Sequence, residues 1–539
     1  MKKTLKTLLY GSIFALASLL PYKVHAAEQF IRGDTNQDEI VDISDSINTL
    51  EYLFLGKEKP ECMDAADVDD SGIIDTTDAV YTLEHLFLGG QKPPAPFPNT
   101  GYDVTRDGLD CKGQGDLEAR IIMQRDIPLV ITESGTPERP LVYVLGEDVI
   151  AEGTAIEIRE VSKINFYGNF HSISYGDIDE GNGVFIKDAN NINIKDLKIS
   201  DRGKDHGSGI RLQNSHFINM ENNIITTFGE ENIGINSYLS NNIHVLDNII
   251  KTANVLSYGM EFENSNDLMI YKNSISNSGS TSDAIIIERS KNSRITNNII
   301  NNVGIYSPGL ILIEVTDSYI VGNDIRSVET GLGIGLSSNL VLEDNNIETI
   351  GEFGDGIFFE NSNKNINFYG SFIKTRNINS HGIRVLKENN NINFLNSEIL
   401  VDKLSSYYIK FDDDSGGLLN FIDTKFDINR IYLEPESKGI VRTYQYFNAR
   451  ITDITNNPLE RVFVEGYDTN NNPIFSEYTN QDGRILRREL LSYTQDKDGI
   501  KQAYPYTIKV SKPGYQTKND IFDLTGNVDL RYVLEPASN

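Results

Sequence analysis

Two stretches near the N-terminus carry oxygen-bearing side chains at alternating positions. The first runs Asp34, Asn36, Asp38, Ile40, Asp42 and Asp45; the second runs Asp67, Asp69, Ser71, Ile73, Asp75 and Asp78. Donors fall at positions 1, 3, 5, 9 and 12 of each loop, and the isoleucine at position 7 offers only its backbone carbonyl. A hard cation such as Ca2+ takes about six to eight oxygens, and a turning loop delivers them at this alternation. Gly72 fills the sharp-turn position of the second loop, whereas Glu39 stands there in the first, so the first turn is expected to be strained. A different carboxylate group lies mid-chain: Glu261, Glu263 and Glu288. Carboxyl groups held close together can divide into an acid and a base, which is what glycoside hydrolysis requires. Tyr238 could stack on a sugar and Arg211 could bind one. The competing reading is a solvated acidic face on a protein of net charge −29.

These mid-chain residues meet only if the chain is wound in equal turns. Gly209, Gly234, Gly259, Ala284 and Gly309 recur every 25 residues, as do Asn223, Asn248, Asn273, Asn298 and Asn323. Ile210, Ile235, Met260, Ile285 and Leu310 keep the same step, as do Ile225, Ile250, Ile275, Ile300 and Ile325. A fixed period holding several short strands is the pattern of a stacked solenoid, with neighbouring coils about 4.8 Å apart. Buried Ile would then stack in ladders, and stacked Asn would pass hydrogen bonds from coil to coil. Alternation along one strand turns Met260 and Phe262 inward and Glu261 and Glu263 outward; Glu288 lies one coil beyond Glu263, and Tyr238 one coil before it. The loop 201–206 offers a second polar group, Arg202, Lys204 and His206, with Glu231 one coil on; such cations beside a histidine suit proton abstraction from a uronate, and an ordinary polar turn is the competing reading. His381 also precedes a coil start but lies too many coils away to join that loop.

The repeat resembles the right-handed parallel β-helix of the pectate-lyase-like superfamily, with about ten or eleven coils from Gly153 to Ile428 and a cap over 113–152. That fold hosts lyases, hydrolases, epimerases and inert adhesins, so it does not by itself choose a chemistry. The two acidic loops, each running into an apolar helix that ends in Gly (Ile47 to Leu55 before Gly56, Ala79 to Leu88 before Gly89), resemble the dockerin family over residues 28–112. Both loops end in Asp, as dockerins do, and Ser44, Thr76 and Thr77 occupy the positions that family uses to choose a partner. The loops start 67 − 34 = 33 residues apart, wider than in cellulosomal members. The resemblance implies Ca2+ as cofactor and calcium-dependent docking to a cohesin-like scaffold protein.

Composition narrows the rest. With 49 basic against 78 acidic residues, no basic surplus exists to displace counterions from a nucleic acid. Lys2, Lys3 and Lys6 precede an apolar run from Leu8 to Leu20 and the small residues before Ala27, the three-part pattern of a signal peptide over 1–26. The run is short for a membrane span, so a secreted, extracellular protein without membrane insertion is expected, free or held at a cell surface by a partner. Two cysteines exclude a disulfide scaffold; Cys62 and Cys111 either remain thiols or, as an oxidising compartment favours, form one bridge. The segment 93–100 reads as a linker. From residue 446 short strands and polar turns suggest a β-sandwich. Thr479 with Asp482-Gly483, and Lys512-Pro513-Gly514-Tyr515, resemble carboxypeptidase-regulatory-like modules. The expected domains are therefore 1–26, 28–112, 113–445 and 446–539. The expected fold is mainly β, with a small helical calcium module before a β-helix and a sandwich after it. The expected function is binding or degradation of extracellular polysaccharide, of glycoside hydrolase or polysaccharide lyase type; the alternative is a non-catalytic carbohydrate-binding or adhesive surface protein.

Overall fold

The structure is a computed structural model that describes residues 25–26, 29–101, 103, 105, 109, 111, 117–137, 139–178 and 180–537. The leader expected over 1–26 lies outside the described residues except for the two-residue strand His25–Ala26. Two compact units are present, one built from 1–124, 134–147 and 163–171, the other from 125–133, 148–162 and 172–539.

In the first unit, Ile43–Leu55 and Thr76–Leu83 are α-helices that pack on each other. Each starts the same way. Asp42 and Asp75 cap the first turn, and Asp45 and Asp78 reach back to the cap's own N–H, so the loop aspartates double as capping boxes. The first helix ends at Gly56, whose φ of 71° closes it; the second continues as a wide turn over Glu84–Leu88 before Gly89 at φ 68°. Cys62 and Cys111 are joined as a disulfide, and both are buried. Residues 93–100 are not a free linker. Arg32, fully buried, donates from Nε to the Ala95 carbonyl at 3.0 Å, its backbone N–H reaches Pro96 O, and Phe30 and Gly101 exchange backbone hydrogen bonds at 2.9 Å. The buried guanidinium also meets Asp70 at 2.9 Å and Asp103 at 3.1 Å, and these ties hold the segment against the module. Strands Leu117–Ile122, Leu141–Leu145 and Ser162–Tyr167 complete this unit, with Ala119 opposite Val142 and Leu141 opposite Ile164 in parallel register.

The second unit is a parallel β-solenoid. One wall is a 13-stranded sheet that starts at Leu129–Ile131 and ends at Ile431–Leu433; a second wall is an 11-stranded sheet from Val149–Ile150 to Glu398–Val401. The 13 strands exceed the ten or eleven coils read from the repeat, because Leu129–Ile131, expected in a cap, and Ile431–Leu433, beyond the visible repeat, both join the stack. The register follows the period: Ile210 faces Ile235, then Met260, Ile285 and Leu310, all buried. The next partner of Leu310 is Leu332, a step of 22, so one coil is shortened at its corner while the stack continues. Gly234 is glycine because a Cβ there would lie 2.4 Å from the Gly259 carbonyl of the next coil. At one corner the Asn side chains form a ladder: Asn223 Nδ2 to Asn248 Oδ1 at 2.9 Å, Asn248 to Asn273 at 3.0 Å, Asn273 to Asn298 at 3.0 Å and Asn298 to Asn323 at 2.9 Å.

The parallel stacking of the solenoid ends at Tyr444. A single strand, Lys438–Asp453, pairs in parallel with Gly416–Ile422 of the solenoid through Tyr444 and, from Phe447 on, with Val528–Leu534, while Arg488–Asp496 pairs antiparallel with its stretch from Val441 to Phe447. A four-stranded sheet of Phe463–Tyr467, Pro473–Tyr478, Tyr506–Ser511 and Lys518–Phe522 faces it. Phe447, Ile451, Val464, Ile508 and Tyr532 form the core between the two sheets. The expected boundary at 445/446 thus falls inside one continuous strand, which covers an edge the solenoid would otherwise expose.

Candidate functional site

Glu261 and Glu263 lie on Met260–Glu263, and Glu288 on Ile285–Glu288, adjacent strands of the 13-stranded sheet. Met260, Phe262, Ile285 and Ile287 are fully buried, and their alternation turns the three glutamates to the outer face. Glu263 stands opposite Glu288, and Tyr238 opposite Glu263. Arg211 stands opposite Asn236, and Asn236 opposite Glu261. The five residues singled out from the sequence therefore share one patch in two neighbouring rows. Asn236 Nδ2 donates to Glu261 Oε2 at 2.7 Å. The Arg211 guanidinium lies over the Phe185 ring, 5.4 Å from its centre, and Tyr238 is 40% exposed, open to a ligand.

Three members of this patch escaped the sequence reading. Arg289 turns its guanidinium onto Glu263 and lies 3.3 Å from Glu288 Oε2. Asp283 sits at the mouth of the strand after Tyr258 in the same row, one coil on: Gly259 N–H donates to its carbonyl, as Gly234 N–H does to that of Tyr258. Burial, then the charges of Glu288 and Glu261, push the Asp283 carboxyl up to about 7. Burial, then Glu263 and Glu288, push Glu261 up to about 6. Burial also raises Tyr258, with Asp283 the next cause. The sequence signal for Asp283 is its step of 25 from Tyr258, and that row mixes types (Tyr258, Asp283, Pro308), so no repeated residue marks it. The arrangement holds two carboxyl groups able to carry a proton near neutral pH beside two carboxylates paired with a cation.

The loop 201–206 does other work. Asp201 is buried, and its Oδ2 accepts from Phe228 N–H at 2.7 Å, Gly229 N–H at 3.0 Å and Asn232 Nδ2 at 2.5 Å, fixing the corner. His206 Nε2 meets Glu231 at 3.1 Å, one coil on, and both are exposed. Arg202 pairs with Asp177 at 2.9 Å. His381 lies several strands beyond both groups.

In the helical module, carboxylate oxygens of Asp67, Asp69 and Asp78 lie within 4.8 Å of one another. Asp69 Oδ1 is buried with no hydrogen-bond partner, and burial pushes Asp78 up to about 6. Burial also raises Asp67, Asp34 and Asp45. An unpartnered oxygen among converging, desolvated carboxylates fits a hard divalent cation. The first loop repeats the scaffold: Asp45 Oδ1 accepts from Thr35 N–H at 2.8 Å, as Asp78 Oδ1 does from Val68 N–H at 2.7 Å. Asn36 there turns its Nδ2 to Asp38 at 3.1 Å and Ser44 at 2.8 Å. Glu39 adopts φ 69° where Gly72 adopts φ 80°, so the first turn does hold a side chain in the left-handed region.

The family described as "Right handed beta helix region" matches residues 251–399. The solenoid is a right-handed β-helix. The family described as "Periplasmic copper-binding protein (NosD)" matches residues 149–308. No curated protein matches the sequence. Among solved structures, the A-module of a mannuronan C-5 epimerase of Azotobacter vinelandii is similar at 13% identity, covering 56% of this chain and 88% of that one, with a TM-score of 0.36. The tailspike protein of E. coli bacteriophage HK620, in complex with a pentasaccharide, is similar at 9% identity, covering 73% and 82%, with a TM-score of 0.40. A periplasmic alginate epimerase is similar at 14% identity, covering 60% and 82%, with a TM-score of 0.30. Among the described residues, no helix is long and apolar enough to cross a membrane.

Proposed function

We propose that the protein is an exported, calcium-binding glycoside hydrolase whose β-helix holds an extracellular polysaccharide along its outer face. One observation carries this reading: four carboxyl groups share a patch, two pushed up to about 6 and 7 and two paired with Arg289. In this reading Glu261 or Asp283 protonates the leaving glycosidic oxygen, and Glu263 or Glu288 acts from its ionised form. Asn236 orients Glu261, while Tyr238 and Arg211, one and two coils before Glu261 and Glu263, contact the sugar. Lyase chemistry is less well supported, because the cation held at the carboxyl cluster, Arg289, is engaged by Glu263 and Glu288. Release of reducing ends from a panel of neutral and acidic glycans tests the reading: wild type is expected to act on at least one, and Glu261→Gln with Asp283→Asn to lower the rate about 10²-fold or more. Glycan binding without cleavage, unchanged by both substitutions, would favour an adhesive surface protein instead.

The helical module is the proposed tether. Asp34, Asn36, Asp38, Asp42 and Asp45 would hold one Ca2+, and Asp67, Asp69, Ser71, Asp75 and Asp78 a second, with the carbonyls of Ile40 and Ile73. Such an ion supplies positive charge that neutralises converging carboxylates and fixes the loop. The loaded module would dock a cohesin-like scaffold protein. Capture of such a protein that persists in chelator would count against this.

A further inference from the structure

A second polar group stands on the same sheet face, five strands beyond Glu261 and so about 24 Å from it at ~4.8 Å per strand. The row of Glu261 continues through Ile286, Ile311, Gly333 and Phe358 to Arg384, Lys410 and Tyr432. Arg384 Nε donates to Asp412 Oδ2 at 2.7 Å, and Lys410 Nζ reaches Asp412 Oδ1 at 3.2 Å, so Asp412 is gripped by two cations. Lys410 is also 3.8 Å from Glu434. Asp355 is held differently. Its side chain is 4% exposed, accepts His381 N–H at 2.8 Å, and meets the other arm of Arg384 only at 3.7 Å. Burial pushes it up to about 7, with the charge of Asp412 and then that of Glu329 adding to the rise. One guanidinium therefore spans two carboxyl groups in opposite environments.

His381 decides which chemistry fits. Its Nδ1 accepts the Tyr407 backbone N–H at 3.0 Å, and the two rings stack, as Tyr407 and Tyr432 do. Burial, Lys410 and Arg384 hold His381 down at about 4, so the ring is neutral and its proton is on Nε2. It can donate to a sugar but cannot accept a proton there. His381 therefore cannot be the base of an elimination, and the two carboxyl groups are left to supply an acid and a base.

We propose that Asp355 and Asp412 are the acid and base of a second glycoside-cleaving centre, held by Arg384, with His381 donating Nε2–H to the bound glycan. The Asp355 carboxyl gives its proton to the glycosidic oxygen as the C1–O bond breaks. Water adds to C1 and its proton passes to the Asp412 carboxylate. One water is consumed per bond, and exchange with solvent returns the two carboxyl groups to their starting forms. The centre rests on the reading of this face as a polysaccharide surface, but not on Glu261.

The test uses the full chain and reducing-end release from polygalacturonate, alginate, xylan, mixed-linkage β-glucan and dextran. The Glu261→Gln/Asp283→Asn variant is expected to keep measurable release, and adding Asp412→Asn to lower that remainder about 10²-fold or more. Asp355→Asn should do the same; its amide oxygen can still accept His381 N–H, and circular dichroism checks that both variants fold. Loss of all release in the Glu261→Gln/Asp283→Asn variant, or a remainder that Asp412→Asn leaves unchanged, would overturn the second centre while leaving the first intact. Full activity in that variant, abolished by Asp412→Asn, would instead support the second centre and overturn the first. No release from any substrate by wild type overturns both.

Discussion

Glu263 and Glu288, 25 residues apart in the chain, stand opposite one another on neighbouring strands and share the guanidinium of Arg289. Two like charges at the strand spacing repel unless a cation lies between them. Burial first, and the neighbouring carboxylate charge second, make Glu261 and Asp283 hold their protons.

Glu288→Gln should weaken that effect. It removes one of the charges that raise both Glu261 and Asp283, so each carboxyl loses its proton at lower pH. The alkaline limb of the pH–rate profile is expected to move down by up to about one unit. A limb that stays put while the rate falls would assign Glu288 a different part.

Stability should follow the same carboxyl groups. Asp283 and Glu261 titrate higher in the fold than their ordinary values of 3.8 and 4.5, so the folded chain binds their protons more tightly than the unfolded chain does. Their contribution is complete below about pH 4 and is lost as pH rises through about 6 and 7. Asp283→Asn should therefore stabilise the β-helix at pH 8, by about 1–3 kcal/mol after allowance for screening, and change little at pH 4. Denaturant melts at the two pH values check the sign.

The Asn ladder predicts a steep local cost. Asn273 Oδ1 accepts the backbone and side-chain N–H groups of Asn248 at 2.9 and 3.0 Å, and its Nδ2 donates to the Val245 carbonyl at 2.7 Å. Asn273→Ala strands these groups in a site that water does not reach, at a cost of about 2–4 kcal/mol. A melting transition within experimental error of wild type would show that the ladder is ornamental.

The first metal loop should improve when its turn is relieved. Glu39 is exposed at φ 69°, so Glu39→Gly relieves about 1 kcal/mol of backbone strain and gives up little packing. Calorimetry of Ca2+ binding is expected to show one site tightened several-fold and the Gly72 site unchanged. Chelator should lower the melting temperature of the helical module in both proteins, because ligation at 100 times Kd contributes about 2.7 kcal/mol.

The 25-residue step made the β-helix legible without coordinates. A fixed step in a stacked fold converts directly into contact, so Tyr238 beside Glu263 and Glu263 beside Glu288 were readable as neighbours. The alternation of Met260 and Phe262 with Glu261 and Glu263 likewise stated which side chains face out. What the period could not carry is whatever breaks it. Leu129–Ile131 and Ile431–Leu433 carry no repeated residue, yet parallel pairing needs only backbone, and both join the stack. Asp283, Arg289 and the Asp355–His381–Arg384–Asp412 group depend on side-chain reach and burial around corners that vary from coil to coil. The chain's order of residues determined which positions became neighbours, since winding is set by a backbone repeat. Which of those neighbours hold protons, and which are neutralised, was decided only by the tertiary structure, because desolvation and distance to a cation are properties of packed space.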